Sequence, residues 1–257
     1  MYRFLKRFFD FLISLIAIIV FSPFFLVLPL LIAIFLGRPV LFKQKRIGRY
    51  NKIFYLYKFR SMNDKKDEEG NLLPDEQRLT TFGKILRKSS LDELPQLFSI
   101  LVGNMSIVGP RPKTIEEVCL IQSTNYIYRH CVRPGITGLA VIKGRNELNP
   151  DKAFRLDFEY VANSGLWIDL KIFIKTFLVV IFKKGVTSKN HVTFIPHCEF
   201  WQEIGTLSHE EVIACKIAAK DINSSNIKVL PGLTKKDFGE KRKTIVAKYK
   251  IGRKQHD

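Results

Sequence analysis

From Phe11 to Gly37 the chain reads FLISLIAIIVFSPFFLVLPLLIAIFLG, without one formal charge. About 20 apolar residues suffice to cross a bilayer, so this stretch takes the N-terminus out of ordinary soluble folds. It is too long for the apolar part of a cleaved leader, and no small-x-small site closes it. Its flanks add a second constraint. Arg3, Lys6 and Arg7 precede it, and Arg38, Lys43, Lys45, Arg46 and Arg49 follow it. The positive-inside tendency places both flanks on the cytoplasmic side. One straight span cannot meet that demand, whereas a helix that enters, breaks and returns can. Ser22-Pro23 supplies the break: Pro23 removes a backbone donor, and the Ser22 hydroxyl can satisfy a carbonyl freed away from water. Pro29 is expected to bend the second arm. A proline-kinked spanning helix is the alternative. Asp10, at the mouth of the segment, is expected to pair with Arg7 or Lys6.

The rest of the chain is strongly basic, with 42 Lys+Arg against 24 Asp+Glu and a net charge of +18. Such a balance calls for an anionic partner: nucleic acid, anionic lipid or a phosphate-bearing substrate. A hydrophobic fraction of 46% excludes a disordered basic tail. Nucleic acid is set aside, because no recognition helix, RNP-like string or zinc site accompanies the charge. Cys119, Cys131, Cys198 and Cys215 form no CxxC, which argues against a metal or disulfide framework and for a reducing compartment.

Between Arg38 and Arg60 lie eight Lys/Arg and no acid. Two aromatic and β-branched runs there flank IGRYNK, the pattern of a β-hairpin. Its cations suit lipid headgroups or substrate phosphates; Lys58 and Arg60 stand at its end. NDKKDEEGNLLPDEQR (63–78) reads as a mobile loop, and TFGKILRKS (81–89) as a short helix. Asp92 and Glu93 follow, with Ser89 or Ser90 expected to cap their helix. Acids in a first helical turn are ordinarily dipole complements. Here Pro95 stiffens the turn, Arg87 and Lys88 precede it, and GNMSIVGPRP (103–112) holds Arg111 between two prolines. Paired carboxylates, cations and a rigid Gly/Pro loop are the components of a phosphoryl-transfer site. Mg²⁺ is typically held by one or two carboxylates plus substrate phosphates, and a carboxylate can itself attack phosphorus.

In these residues the chain resembles the bacterial polyprenyl-phosphate sugar-1-phosphate transferases, the monotopic phosphoglycosyl transferases. The likeness runs from Lys6 to Thr187. It comprises KRFFDF, the Ser22-Pro23 break, PVLFKQKRIG, YKFRSM, LRKSSLDELPQL, GNMSIVGPRP, RHCVRPGITGLA, KGRN and FRLDFEYV, in that order. The resemblance implies a mainly α fold with a small β-hairpin, a re-entrant N-terminal helix, and a helical catalytic domain on the membrane surface. It implies transfer of a sugar-1-phosphate from a nucleotide sugar, usually a UDP-sugar, to undecaprenyl phosphate, with release of UMP. On the same ground Asp92 is the nucleophile and Glu93 helps hold Mg²⁺. Arg111 contacts the uridine end, and Lys58 and Arg87 lie near the phosphates. Arg145 and Asp157 match further polar site positions. The implied setting is the cytoplasmic face of the bacterial inner membrane, among lipids and downstream glycosyltransferases, at the first membrane step of glycoconjugate synthesis. The chain departs from the family pattern at Val141, where many members carry Gln, and at Ser99 and Asn104.

Three segments are therefore expected: membrane helix–break–helix (1–37), catalytic domain (38–189) and a C-terminal extension (190–257). His130 reads as structural, and Arg133, in a Pro-Gly turn, as a possible phosphate contact. LWIDLKIFIKTFLVVIFKKG (166–185) reads as an interfacial helix. Ser208 to Glu211 forms a capping box for a helix, followed by a tail with nine Lys/Arg against three acids from Lys235 onward, expected to be loosely ordered. The reading from another class is a membrane-anchored basic scaffold without transferase activity.

Overall fold

The computed structural model describes residues 1–121, 125–144, 148–181, 208–230, 233–241 and 244. They are mostly helical, with one antiparallel ribbon and one short parallel pair. Helix α1 (Tyr2–Val20) and helix α2 (Ser22–Leu36) meet at a 60° bend. Pro23 lies in the first turn of α2, where its missing N–H costs nothing; Pro29 lies inside that helix. No single described helix is long and apolar enough to cross a membrane. Both helices keep most large apolar side chains on the surface, among them Phe4, Ile19, Leu26, Leu30 and Ile34.

One edge of α1 is buried, and it is polar. Asp10 does not pair with Arg7 or Lys6. Its Oδ1 accepts hydrogen bonds from Ser106 Oγ (3.1 Å) and the Ile107 N–H (2.9 Å). Lys6 reaches Asp169 at 2.8 Å instead. Arg7 donates to the Ile100 and Leu101 carbonyls at 2.6 and 2.5 Å. A carboxylate removed from water takes the nearest donors, and here those come from a loop far along the chain.

The expected ribbon is present as β1 (Leu41–Ile47) and β2 (Ile53–Phe59), with Phe42 opposite Lys58 and Arg46 opposite Phe54. A two-stranded ribbon is marginal alone. This one packs Phe54 and Leu56 into a core with Ile100, Met105 and Tyr160. Residues 63–78 contain a Lys66–Leu72 bridge and the one-turn α3 (Asp75–Arg78). Helix α4 (Thr81–Ser89) is capped by Thr80, whose hydroxyl accepts from the Gly83 N–H. It ends at Ser90 in the left-handed region (φ 57°). Asp92 and Glu93 then sit in a separate one-turn 3-10 helix, Leu91–Glu93, without a side-chain cap. Helix α5 (Gln96–Leu101) begins after Pro95. The Ser89 hydroxyl turns back to the Ile85 and Leu86 carbonyls, so neither serine acts as the expected cap.

Strands β3 (Ser106–Val108) and β4 (Gly135–Thr137) pair in parallel. A Cβ at Gly135 would stand 2.1 Å from the Gly109 nitrogen, so the two loops approach at a distance only glycine permits. Around this pair run α6 (Ile115–Ile121), α7 (Leu139–Ile142), α8 (Pro150–Asn163) and α9 (Leu166–Ile181). Asn149 caps α8 by accepting from the Lys152 N–H. Asp169 of α9 accepts from Tyr2, Lys6 and Tyr160, which binds α9 to the start of α1. Helix α10 (His209–Ser224) carries the expected capping box and packs on α6 through Val212, Cys215 and Leu120. Phe238, in the expected loose tail, is wholly buried instead; residues 245–257 lie outside the described residues.

His130 is structural, as its isolation implied. It is buried, its Nδ1 is 2.7 Å from Asn51 Oδ1, and its Nε2 has no hydrogen-bond partner. The network assigns a neutral ring with the proton on Nδ1. Burial, and secondarily the charge of Arg129, hold its pKa well below the ordinary value. The unfolded chain binds a proton at about pH 6.5 that the folded chain refuses, so stability is lost as pH falls below that value. The loss approaches about 1.4 kcal/mol per pH unit. Urea unfolding of the detergent-solubilised protein between pH 7.5 and 5 should show this slope, and His130→Gln should flatten it. An equal slope in both proteins refutes the assignment.

Candidate active site

Asp92 and Glu93 are 7% and 8% exposed. Adjacent acids removed from water need cations close by, and separate elements supply them. Strand β2 brings Lys58 Nζ to 2.7 Å from Glu93 Oε1. The loop after β3 brings Arg111 Nη2 to 3.8 Å from the same oxygen. The last turn of α4 supplies Arg87, whose Nε donates to Ser61 Oγ at 2.9 Å. Burial lowers the Arg87 pKa, and the charge of Asp92 works against that shift. Lys58, Arg87, Asp92, Glu93 and Arg111 thus gather at one place from four elements.

Beside them opens a small cleft. Its charged lining is Arg46, Lys58, Arg111 and Glu93, with Gln96 as a neutral polar group. Leu56 and Ile136 give it an apolar wall. Three cations against one acid leave a positive cleft, suited to a ligand with more than one negative charge. Among the described residues no group of three or more His, Cys, Asp or Glu could enclose a metal. A consecutive Asp-Glu pair on one turn fits Mg²⁺ that keeps water and ligand phosphate oxygens as its remaining partners. It does not fit an all-protein cage.

Asp157 is elsewhere. It is 3% exposed and, like Asp92 and Arg87, is not among the residues that line the cleft. Its Oδ2 accepts from Arg129 Nε (3.0 Å) and Nη2 (2.5 Å). Arg129 Nη2 also donates to the Arg111 carbonyl at 2.6 Å. Asp157 is therefore linked, through Arg129, to the backbone that presents Arg111. Burial raises the Asp157 pKa, and Arg129 and Lys113 oppose the rise. Arg145 lies outside the described residues. Arg133 turns away from the cleft, donating to the Gly103 carbonyl at 2.8 Å. Ser22 and Pro23 are at the α1–α2 bend.

Sequence reading passed over Arg46, Gln96 and Arg129 as site components. Strand alternation places Arg46 on the same ribbon face as Lys58 once the register is known. Arg46 donates to the Pro112 carbonyl at 3.2 Å and so braces the Pro-Arg-Pro loop from the ribbon. Arg129 had no local signal, because its partner is 28 residues away.

Comparison with known proteins follows the same residues. The family model described as bacterial sugar transferase matches residues 1–183. EpsL of Bacillus subtilis (strain 168), named an uncharacterized sugar transferase, is 45% identical over 189 residues, 74% of this chain and 93% of that protein. The UDP-N-acetylgalactosamine-undecaprenyl-phosphate N-acetylgalactosaminephosphotransferase of Aeromonas hydrophila is 40% identical over 187 residues, 70% of this chain and 44% of the relative. The undecaprenyl-phosphate galactose phosphotransferase of Salmonella typhimurium is 38% identical over 203 residues, 71% of this chain and 42% of the relative. The chain spans less than half the length of the last two.

Removing one partner of a buried ion pair leaves an uncompensated charge and costs about 3–5 kcal/mol. Asp157→Asn should lower the unfolding midpoint in detergent accordingly, whereas Arg155→Gln, at an exposed pair with Asp151, should change it little. An Asp157→Asn protein as stable as the parent would show that this pair does not hold the loop.

Proposed function

The chain belongs to the bacterial sugar transferase family, and from that premise we propose that it transfers a sugar-1-phosphate from a UDP-sugar to undecaprenyl phosphate. The reading rests on a buried carboxylate pair beside a cleft whose other charges are all cationic among the described residues. A diphosphate donor suits that charge, and its uridine end suits the rim at Arg111. The names of the Aeromonas and Salmonella relatives carry the same acceptor.

In the proposed reaction, a carboxylate oxygen of Asp92 bonds to the sugar-bearing phosphorus. The bond from that phosphorus to the bridging oxygen breaks, and UMP leaves with the electron pair. A phosphate oxygen of undecaprenyl phosphate then attacks the same phosphorus, and the Asp92 carboxylate is released unchanged. Like charges must approach in both steps, so the nearby cations are required to lower the barrier. Lys58 and Arg111 orient Glu93 and screen the donor's oxygens, and Arg87 faces Asp92. Asp92 and Glu93 would hold Mg²⁺, which when bound supplies further charge neutralisation on phosphate oxygens. Arg145 would join the substrate contacts. Asp157 and Arg129 hold the Arg111 loop in place.

The acceptor's tail stays in lipid, so the site must lie at headgroup depth. Exposed apolar residues on three elements support a membrane-seated body: Leu26 (79%) on α2, Val102 (71%) after α5 and Trp167 (79%) on α9. The bent α1–α2 pair is proposed to be re-entrant, with both flanks on the cytoplasmic face of the bacterial inner membrane. Residues 38–189 would be the catalytic body, and the product would feed downstream glycosyltransferases.

Incubation with Mg²⁺, undecaprenyl phosphate and a panel of UDP-sugars should release UMP with at least one sugar; no release with any of them sinks the transferase reading. Under acceptor-free conditions the parent should form a covalent phosphosugar adduct and Asp92→Asn none. An adduct on Asp92→Asn moves the nucleophile elsewhere. Single cysteines placed before Phe11 and after Gly37 should both react only from the cytoplasmic side, and labelling of Tyr2→Cys from the outside would mean a true span.

A further inference from the structure

The family match ends at residue 183, yet residues within 208–230 and 233–241 are packed on the ribbon that carries Arg46 and Lys58. They hold it at three points. Lys45 Nζ donates to the carbonyls of Ile222 (3.3 Å), Asn223 (2.7 Å) and Ser225 (2.7 Å). These are the last carbonyls of α10, where a cation offsets the negative helix end. The Ile53 N–H donates to the Lys228 carbonyl at 2.8 Å, and the Leu230 N–H to the Asn51 carbonyl at 3.0 Å. Together with the Lys52–Val229 bridge, they give the start of β2 a further strand partner. Phe238 packs between Tyr50 and Tyr128, with ring centroids 5.8 and 6.1 Å away.

The grip falls where the ribbon needs support. Tyr50 and Asn51 both have positive φ (57° and 59°). Asn visits that region readily, but a bulky residue such as Tyr50 keeps it only where its surroundings hold it there. Successive strand residues face opposite ways. Lys45 therefore points to α10 while its neighbour Arg46 lines the cleft and reaches the Pro112 carbonyl. A shift of the ribbon moves Arg46 and Lys58 together, since both stand on its cleft face.

We propose that residues 208–230 and 233–241 clamp the active-site ribbon within the same chain, and that Lys45 is the positioning residue that transmits the clamp to Arg46 and Lys58. The kinetic part of this proposal rests on the transferase reading above; the structural part does not. The test uses full-length Lys45→Met, which keeps the aliphatic stem and loses the three hydrogen bonds, and Lys45→Arg, which keeps a cation at the helix end. Hydrogen exchange should rise about tenfold or more across residues 41–59 in Lys45→Met and stay unchanged in α5 and α8. The kcat/KM for the UDP-sugar should fall about five- to tenfold, through weaker donor binding and poorer screening of the transferred phosphate. Lys45→Arg should recover both to within about twofold. Unchanged exchange in the ribbon, acceleration spread over the whole domain, or an unchanged kcat/KM overturns the proposal. Should the parent release no UMP from any donor, the transferase reading fails and the exchange data alone decide whether the clamp exists.

Discussion

Two adjacent carboxylates held out of water dominate the design of this molecule. An ionised acid in a low-dielectric site is unstable without a close cation, and Glu93 meets two that lie far from it along the chain. Lys88 and Arg87 are near in sequence, but Glu93 is answered by Lys58 from the ribbon and Arg111 from the loop after β3. The positions of those two elements follow from that demand. The ribbon must present its Lys58 face, and the loop must hold Arg111 against its own tendency to move. The 3-10 turn Leu91–Glu93, followed by Pro95, keeps both acids on one short segment between α4 and α5.

A second layer of charge keeps the loop still. Arg129 lies between Asp157 and the Arg111 carbonyl, while Arg46 reaches the neighbouring Pro112 carbonyl from the ribbon. Two arginines from opposite sides thus hold one Pro-Arg-Pro backbone. Prolines donate no hydrogen bond there, so the loop's carbonyls are the available handles, and guanidinium groups are well shaped to take them.

The same logic links the apolar N-terminus to the catalytic body. Asp10 reaches the Ile107 N–H and Ser106 at the start of β3, and Lys6 and Tyr2 reach Asp169 on α9. Helix α1 is therefore bolted by polar contacts to the strand that leads into the Arg111 loop. Whatever position α1 takes, the cleft takes with it. An apolar contact could slide along the helix; a hydrogen-bonded carboxylate has a defined register.

Much of this was legible in the residues. Charge on both flanks, with Ser22-Pro23 between, signalled a bent apolar pair, because helix breaking is a local property. Alternation around IGRYNK located the ribbon, and Ser208 with Glu211 marked the start of α10, for the same reason. The acids at 92 and 93 and the Pro-Arg-Pro at 110–112 stood out as chemistry in a basic chain. Partner choice was not legible. Asp10 was matched to its sequence neighbours and bonds instead to residues 106 and 107; the Arg129 partner of Asp157 was not foreseen; Phe238 read as tail and is core. Each of these is a long-range pairing, decided by which donor or apolar surface the fold brings close, and spacing along the chain carries no record of it. The sequence by itself determined the kinds of groups and the local elements that bear them, while the tertiary structure decided which cation answers which acid, since that depends on distance in space.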